Sequence, residues 1–246
     1  NETSTGSTSR IDEVRQAMDA AGHGALLLVD TISSLASIDY RHDEWGVDVT
    51  VAGSQQGLML PPGLSFNAVS ARALQASKQS TLPNAYWNWD DILMSNKEGQ
   101  FPYTPSTNLL YGLQTALDML LDEGLENVFS RHLRLAEAAR CAVRAWGLEI
   151  LCQNADRYSN SLTAVLVPDG HDADQLRKII LENFNMSLGN GLGRLSGKVF
   201  RIGHLGDFNE LSLIGTLGGV EMGLKLAQIP HKSGGAQAAI DFLAVN

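Results

Sequence analysis

The sequence predicts an α/β fold with a parallel sheet, followed by a smaller α+β unit. Three observations predict it. Ala25-Leu-Leu-Leu-Val-Asp30 carries a continuous apolar run, as in strands buried on both faces of a parallel sheet, and residues 47–52 read as a second strand ahead of a polar turn. Segments with helical spacing accompany these runs through the first half of the chain. Beyond Trp146 the pattern changes to short alternating strands and helices, the rhythm of a small α+β domain.

Residues 1–10 are rich in Ser, Thr and Gly and read as a loop. Ile11, Val14, Met18 and Ala21 fall at helical spacing, with Ser9 or Asp12 as the cap and Gly22 and Gly24 as terminators. A fully buried strand is expected at 26–29, ending in Asp30, and Thr31-Ile-Ser-Ser34 turns off its end. A second strand follows at 47–52, a third at 63–69, and a short helix at Ala71–Ser77. Residues 81–104 show little regular signal but carry Tyr86, Trp87 and Trp89. Aromatics in a loop suit an interface, a pocket wall or plugs over the core. Phe101-Pro-Tyr-Thr-Pro-Ser106 is rigid and turn-like, and Ser106 or Thr107 caps a helix running through Leu109, Leu113, Leu117 and Leu121. A longer helix covers Leu125–Trp146. Its inward face holds Val128, Phe129, Leu133, Ala136, Ala139, Val143 and Trp146, and its solvated face Arg131, Arg134, Glu137, Arg140 and Arg144. Strands at 148–151 and 162–167, a helix at Ala173–Phe184, strands at 186–188 and 199–202, and a helix at 209–226 complete the pattern. The Gly/Ala-rich tail from Pro230 is weakly specified.

At 246 residues and 44% hydrophobic, the chain buries a substantial core. A net charge of −9 argues against a nucleic-acid backbone as partner, since that calls for clustered Lys and Arg. No apolar run approaches the roughly 18 residues of a membrane helix. Asn1-Glu-Thr-Ser-Thr-Gly6 has neither the basic nor the apolar region of a signal peptide, and the expected compartment is cytoplasmic. Cys141 and Cys152 lack redox or metal spacing and read as reduced structural thiols. The scattered histidines form no metal motif.

Gly189-Asn-Gly-Leu-Gly-Arg-Leu-Ser-Gly-Lys198 fails as a Walker loop. Leu192 stands where the first glycine belongs and Val199 where Ser or Thr is needed. It reads instead as a flexible connection between two strands. The turn Val51-Ala-Gly-Ser-Gln-Gln-Gly-Leu-Met-Leu-Pro-Pro-Gly63 is more informative, because ligands of parallel α/β sheets sit outside the carboxyl ends of the strands. Asp30, ending another strand, suggests one shared site. It is a turn acid or helix cap, or a buried carboxylate that keeps a facing ring nitrogen protonated. Arg201 is a bidentate carboxylate clamp or a member of a structural ion pair.

In chain order, Asn1-Glu-Thr-Ser-Thr-Gly6, Leu26-Leu-Leu-Val-Asp30, Gly53-Ser-Gln55 with Gly57-Leu-Met-Leu-Pro-Pro-Gly63, Pro102-Tyr-Thr-Pro-Ser106, Gly124-Leu-Glu-Asn127 and Gly197-Lys-Val-Phe-Arg-Ile-Gly203 together resemble the class V pyridoxal-phosphate aminotransferases, specifically the alanine/serine–glyoxylate group. The resemblance implies the PLP-dependent transferase fold type I. Residues 1–124 would be the C-terminal portion of a large three-layer αβα domain that binds the cofactor, and 125–246 a small C-terminal α+β domain. It implies pyridoxal 5′-phosphate as cofactor, and transamination of a serine- or alanine-type amino acid with glyoxylate. It also implies a homodimer with shared active sites. By position, Thr3 looks like the hydroxyl contacting the cofactor and Asp30 like the acid pairing the pyridinium nitrogen. Ile32 resembles the residue packed on the ring, and Gln55 the polar residue at the phosphate. Thr104 is similar to a phosphate contact supplied by the neighbouring subunit, and Arg201 to the clamp for the substrate α-carboxylate.

Two departures accompany it. Gln56 stands at the position of the Schiff-base lysine, and a carboxamide neither condenses with an aldehyde nor shuttles a proton. Little turnover is therefore expected. A non-catalytic relative acting as a binding or assembly subunit is the alternative. A lyase acting on cysteine would need an activated thiol, whereas Cys141 falls within a helix and Cys152 has no activating neighbours. The second departure is that the chain begins well inside the family's large domain. The strands expected to flank 26–29 precede it, so the sheet is expected to expose edges.

Overall fold

Two sheets organise the chain, and the computed structural model describes residues 1–245 of it. In chain order the elements are α1 (Ile11–Ala20), β1 (Leu28–Asp30), β2 (Val49–Gly53), β3 (Ser65–Val69), α2 (Ala71–Ser77), α3 (Trp89–Lys97), α4 (Thr107–Glu123), α5 (Leu125–Trp146), β4 (Glu149–Ile150), β5 (Leu162–Leu166), α6 (Ala173–Phe184), β6 (Gly189–Asn190), β7 (Val199–Gly203), α7 (Glu210–Leu226) and α8 (Gly235–Val245). The first sheet has the order β1-β2-β3. Strands β1 and β2 run parallel with Asp30 opposite Val51, and β3 is antiparallel to β2. The second sheet, β4-β5-β7-β6, is antiparallel throughout.

The largest core lies between the second sheet and α5, α6, α7 and α8. Val165, Phe200 and Ile202 of the sheet meet Leu135, Val143, Trp146, Ile180 and Leu217 there. The opposite sheet face, with Leu162, Ala164 and Val199, is packed more thinly, against Leu151 and Leu195 beside β5's own Leu166. Ala138, Ala139 and Ala142 keep one side of α5 slim, which lets α8 lie against it. Gly147 closes α5 in a left-handed conformation, as glycine does without a Cβ clash.

Several expectations are corrected. Arg10, not Ser9 or Asp12, is the N-cap of α1 and makes no side-chain cap bond; Asp12 lies inside the first turn. The strand expected at 26–29 forms at 28–30 and is not fully buried: Leu28 is 63% exposed. As an edge strand it is covered on one face, where Leu27 and Val29 meet Ile11 and Met18. Strand β2 begins at Val49 because Asp48 is used as a clip. Its carboxylate accepts from Leu27 N at 2.8 Å and from the Ser70 hydroxyl at 3.1 Å. Helix α3 forms inside 81–104, its first turn capped by the Asn88 side chain on Asp90 N. The aromatics of that stretch do not plug the core, since Trp87 is 82% exposed. Ser106 is the N-cap of α4 but makes no side-chain bond.

On α5, Leu133 faces outward at 53% exposure. Arg140, expected in solvent, is 3% exposed. It pairs with Glu137, donates to Ser159 O and lies over the Tyr158 ring. The strand expected at 186–188 forms instead at 189–190, opposite Phe200 and Arg201. The glycine-rich connection is thus built, not loose: it contains β6 and a 3₁₀ turn at Gly193–Leu195. No helix among the described residues is long and apolar enough to cross a membrane.

The weakly specified tail becomes α8 because Glu221 anchors its start. The Glu221 carboxylate accepts from Trp146 Nε1 at 2.9 Å, Gly234 N at 2.7 Å and Ala236 N at 3.1 Å. Gly235 is required beside it, since a Cβ there would sit 2.2 Å from Trp146 Nε1. Burial pushes the Glu221 pKa up, but the bonds from Trp146, Gly234, Ala236 and Gly235 outweigh burial and hold it down at about 2. A depressed folded-state pKa stabilises above the ordinary carboxylate range, and that stability is lost as pH falls toward 2. Glu221→Gln is expected to cost about 1–3 kcal/mol near neutral pH, because the new amide group faces a donor whichever oxygen it replaces. Urea unfolding of both proteins should show the gap closing as pH drops through that window. A gap independent of pH would refute the role of the charge.

Candidate active site

The parallel pairing of β1 and β2 puts both carboxyl ends on one edge of the first sheet, where such sheets bind ligands. Asp30 ends β1 and is exposed. Its Oδ1 accepts from Ile32 N at 2.9 Å, and no residue covers it in the described chain as a buried carboxylate would require. Thr31 N bonds Val51 O at 2.8 Å, and Ser34 N and Leu35 N both return to Thr31 O. The Asp30 turn is thereby tied to the neighbouring strand.

The second turn, after β2, is fixed from within. The buried Ser54 hydroxyl donates to Pro61 O at 2.8 Å and accepts from Leu64 N at 3.2 Å. Leu60 N bonds Ser54 O, and Met59 N bonds Gln56 O at 2.9 Å. The two turns touch backbone to backbone at Gly57, where a Cβ would stand 2.1 Å from Leu35 O. Only glycine permits that approach. Gln55 is exposed, with its amide folded back over Gly53. Gln56 is half-buried and opens into a cleft of about 380 Å³ shared with Thr3, Met186, Leu188, Arg201 and Phe208.

Arg201 projects from β7 with its guanidinium held by carbonyls: Nε donates to Asn190 O at 2.7 Å and Nη1 to Thr3 O at 2.9 Å. Gly189, its neighbour across the sheet, leaves the space, since a Cβ there would lie 3.0–3.1 Å from Arg201 Cβ and Nε. Among the described residues no carboxylate forms an ion pair with Arg201, so the structural ion-pair alternative does not hold. Burial lowers its pKa and nearby Arg177 adds to that, while Glu2 opposes it. Nη2 makes no hydrogen bond among the described residues and is available to a ligand.

A buried polar circuit supports these groups. The Thr3 hydroxyl bonds the Ser33 hydroxyl, and Ser33 O accepts from the Ser161 hydroxyl. The Ser161 and Ser37 hydroxyls stand 2.8 Å apart. Ser161 immediately precedes β5, which pairs with β7 and so returns to Arg201. Beside it His204 is fully buried, with Nδ1 3.0 Å from Asn160 O and Nε2 2.9 Å from the Thr163 hydroxyl. Burial brings its pKa down to about 3, with the Arg140 charge adding, so it is neutral. His132 Nε2 accepts from Gly206 N at 3.0 Å, and Arg131 donates to Gly206 O at 2.8 Å. Helix α5 thereby holds the segment whose Leu205 and Phe208 line the cleft.

Of the residues singled out in the sequence, Thr3, Gln56 and Arg201 meet in the cleft. Asp30, Ile32 and Gln55 lie on the two adjoining turns. Thr104 is brought to neither; it is exposed, beside a separate hollow with Phe101, Tyr103 and Pro105. Ser33, Ser161, His132 and His204 were not anticipated. Single buried hydroxyls and imidazoles leave no periodic trace, and pairs such as Ser33 and Ser161 are linked only by the fold.

A flat heteroaromatic ring held without a covalent bond fits this edge, with an acid at a strand end, a hydroxyl at Thr3 and a cation on the far wall. Covalent attachment to the chain does not fit. Gln56 occupies the cleft, and no lysine lines it.

The family described as Aminotransferase class-V matches residues 1–199. The chain is 51% identical over 229 residues to the serine–glyoxylate aminotransferase of Methylorubrum extorquens, covering 91% of this chain and 57% of that protein. It is 44% identical over 239 residues to the L-aspartate–glyoxylate aminotransferase of Paracoccus denitrificans, covering 97% and 60%. The crystal structure of pyridoxamine-pyruvate aminotransferase from Mesorhizobium loti matches with a TM-score of 0.90 and 32% identity, over 99% of this chain and 63% of that one. The chain thus spans 57% and 60% of the length of these curated relatives.

Proposed function

The chain belongs to the class V aminotransferases, pyridoxal 5′-phosphate enzymes of fold type I, and from that premise we propose that it is part of a transaminase acting between a serine- or alanine-type amino acid and glyoxylate. The meeting of Thr3, Gln56 and Arg201 in one cleft is the observation that carries this reading. Residues 1–124 are read as part of the large cofactor-binding domain and 125–246 as the small domain. A cytoplasmic homodimer with shared sites completes the proposal, with Thr104 of the partner subunit reaching the cofactor phosphate.

When bound, the cofactor supplies a ring that draws electrons from the substrate α-carbon. This chain's residues do the rest. Asp30 holds the ring nitrogen protonated, as an anion beside it favours the charged form. Ile32 packs on the ring, and the Thr3 hydroxyl and Gln55 amide contact the cofactor. Arg201 is already oriented by Asn190 O and Thr3 O, so little entropy is lost when its free N–H groups take the α-carboxylate. Gln56 neither attaches the cofactor nor carries the α-proton, and low turnover is proposed for this sequence. That same residue favours a second reading, a non-catalytic subunit that binds ligand or assembles with a partner.

Arg201→Gln tests the clamp. In the cofactor-loaded, full-length protein it is expected to weaken amino-acid binding by about 10–100-fold in calorimetry, the value of one charge-assisted hydrogen bond or somewhat more. Unchanged affinity would overturn the assignment.

A further inference from the structure

We infer that this cleft prefers the amine form of the cofactor, pyridoxamine 5′-phosphate, to the aldehyde form. The inference rests on the cofactor reading above and concerns what Gln56 does there. The main chain at 56 is held by the Met59 N bond to Gln56 O and, one residue on, by the close approach of Gly57 to Leu35. Its side chain opens into the cleft and makes no hydrogen bond among the described residues. It offers one carbonyl acceptor and an NH₂ group with two donors.

A lysine at this place would grip the aldehyde through a covalent bond. Here that grip has no source: Lys78, Lys97, Lys178, Lys198, Lys225 and Lys232 are the chain's lysines, and none lines the cleft. The aldehyde oxygen is left as a neutral acceptor. The amine form carries an ammonium in its place, and Gln56 Oε1 can accept a charge-assisted bond from it. Such bonds are roughly twice as strong as neutral ones. Arg201 is the cation on the opposite wall, with Arg177 near it and Glu2 opposing their charge; it acts against the ammonium, so the acceptor at Gln56 is the contact that favours the amine form. Both forms keep the ring nitrogen and phosphate, so contacts at Asp30 and Gln55 cancel in the comparison.

The test is equilibrium dialysis of the cofactor-free, full-length protein against each form separately. The amine form is expected to bind about tenfold more tightly or better. Gln56→Leu, which removes the acceptor, should abolish the preference. Gln56→Lys should reverse it: the lysine nitrogen bonds the aldehyde carbon, water leaves, and borohydride then fixes the cofactor to the protein as a mass gain. Tighter or equal binding of the aldehyde to the Gln56 protein would overturn the inference and leave the cofactor reading standing. A preference for the amine form that survives in Gln56→Leu would also overturn it. Failure of both forms to bind a folded protein, with circular dichroism as the check, would overturn the cofactor reading itself and the inference with it.

Discussion

Gln56→Lys is expected to raise the rate of amino transfer from serine to glyoxylate by at least about 100-fold in the full-length protein, the low end of what a positioned acid–base group contributes. The backbone at 56 does not need to change. Gly57 keeps its contact with Leu35, and the Met59 bond uses the main-chain oxygen. The side chain already opens toward Thr3 and Arg201. A lysine there is partly buried and shares the cleft with a guanidinium, and both conditions lower an amine's pKa toward the range of a working base. Hydroxypyruvate formation reports the rate, and the visible absorbance of lysine-bound cofactor reports attachment. Attachment without turnover would place the defect elsewhere in the site. Neither signal would remove the transaminase reading altogether.

Gly57→Ala is expected to destabilise the protein by about 1–3 kcal/mol, the usual cost of forced overpacking, and to weaken cofactor binding with it. The obstacle is a backbone oxygen, Leu35 O at 2.1 Å, so no side chain can swing aside. One of the two turns must move. One carries Gln55 and Gln56, and the other joins Ile32 and Ser33 to Thr3. Gly215→Ala on α7 is the control, since a Cβ there meets nothing within 4 Å; it should stabilise by about 0.5–1 kcal/mol through helix propensity. Equal melting behaviour and equal cofactor affinity for Gly57→Ala would remove Gly57 as the spacer of the site.

Helices with their own punctuation were legible in the sequence. Ala71–Ser77 begins at Ser70, whose hydroxyl accepts from Ala73 N. Ala173–Phe184 begins at Asp172, which caps Asp174 N and Gln175 N. Leu125–Trp146 ends at the left-handed Gly147. Helix α8 was not legible, because its determinants are Glu221 and Trp146, distant in sequence. Arg140 was misread for a related reason. Its helical position is amphipathic in pattern, but Glu137, Ser159 and Tyr158 bury it. Strand β1 was read as covered on both faces from an apolar run, whereas cover comes from neighbours and only one face has them. In the site, Arg201 stands out by its local setting and Thr3 and Gln56 through the family resemblance, and their meeting is a result of the fold. The serines behind them were invisible, since a serine at 33 and another at 161 look like ordinary polar positions.

The polar circuit through Thr3, Ser33, Ser161, β5, β7 and Arg201 closes on itself. A closed linkage of this kind acts as a caliper. It sets the gap between the Asp30 turn, where a ring nitrogen would rest, and Arg201, where a carboxylate would be gripped, and neither jaw can open without breaking bonds on the far side of the loop. A ligand reaching from one to the other would therefore be gauged by length along that axis. Adjustment to bulkier ones would fall to the apolar side chains of Met186, Leu205 and Phe208 on the cleft wall, which lie outside this circuit although α5 holds the backbone at Gly206 and Phe208.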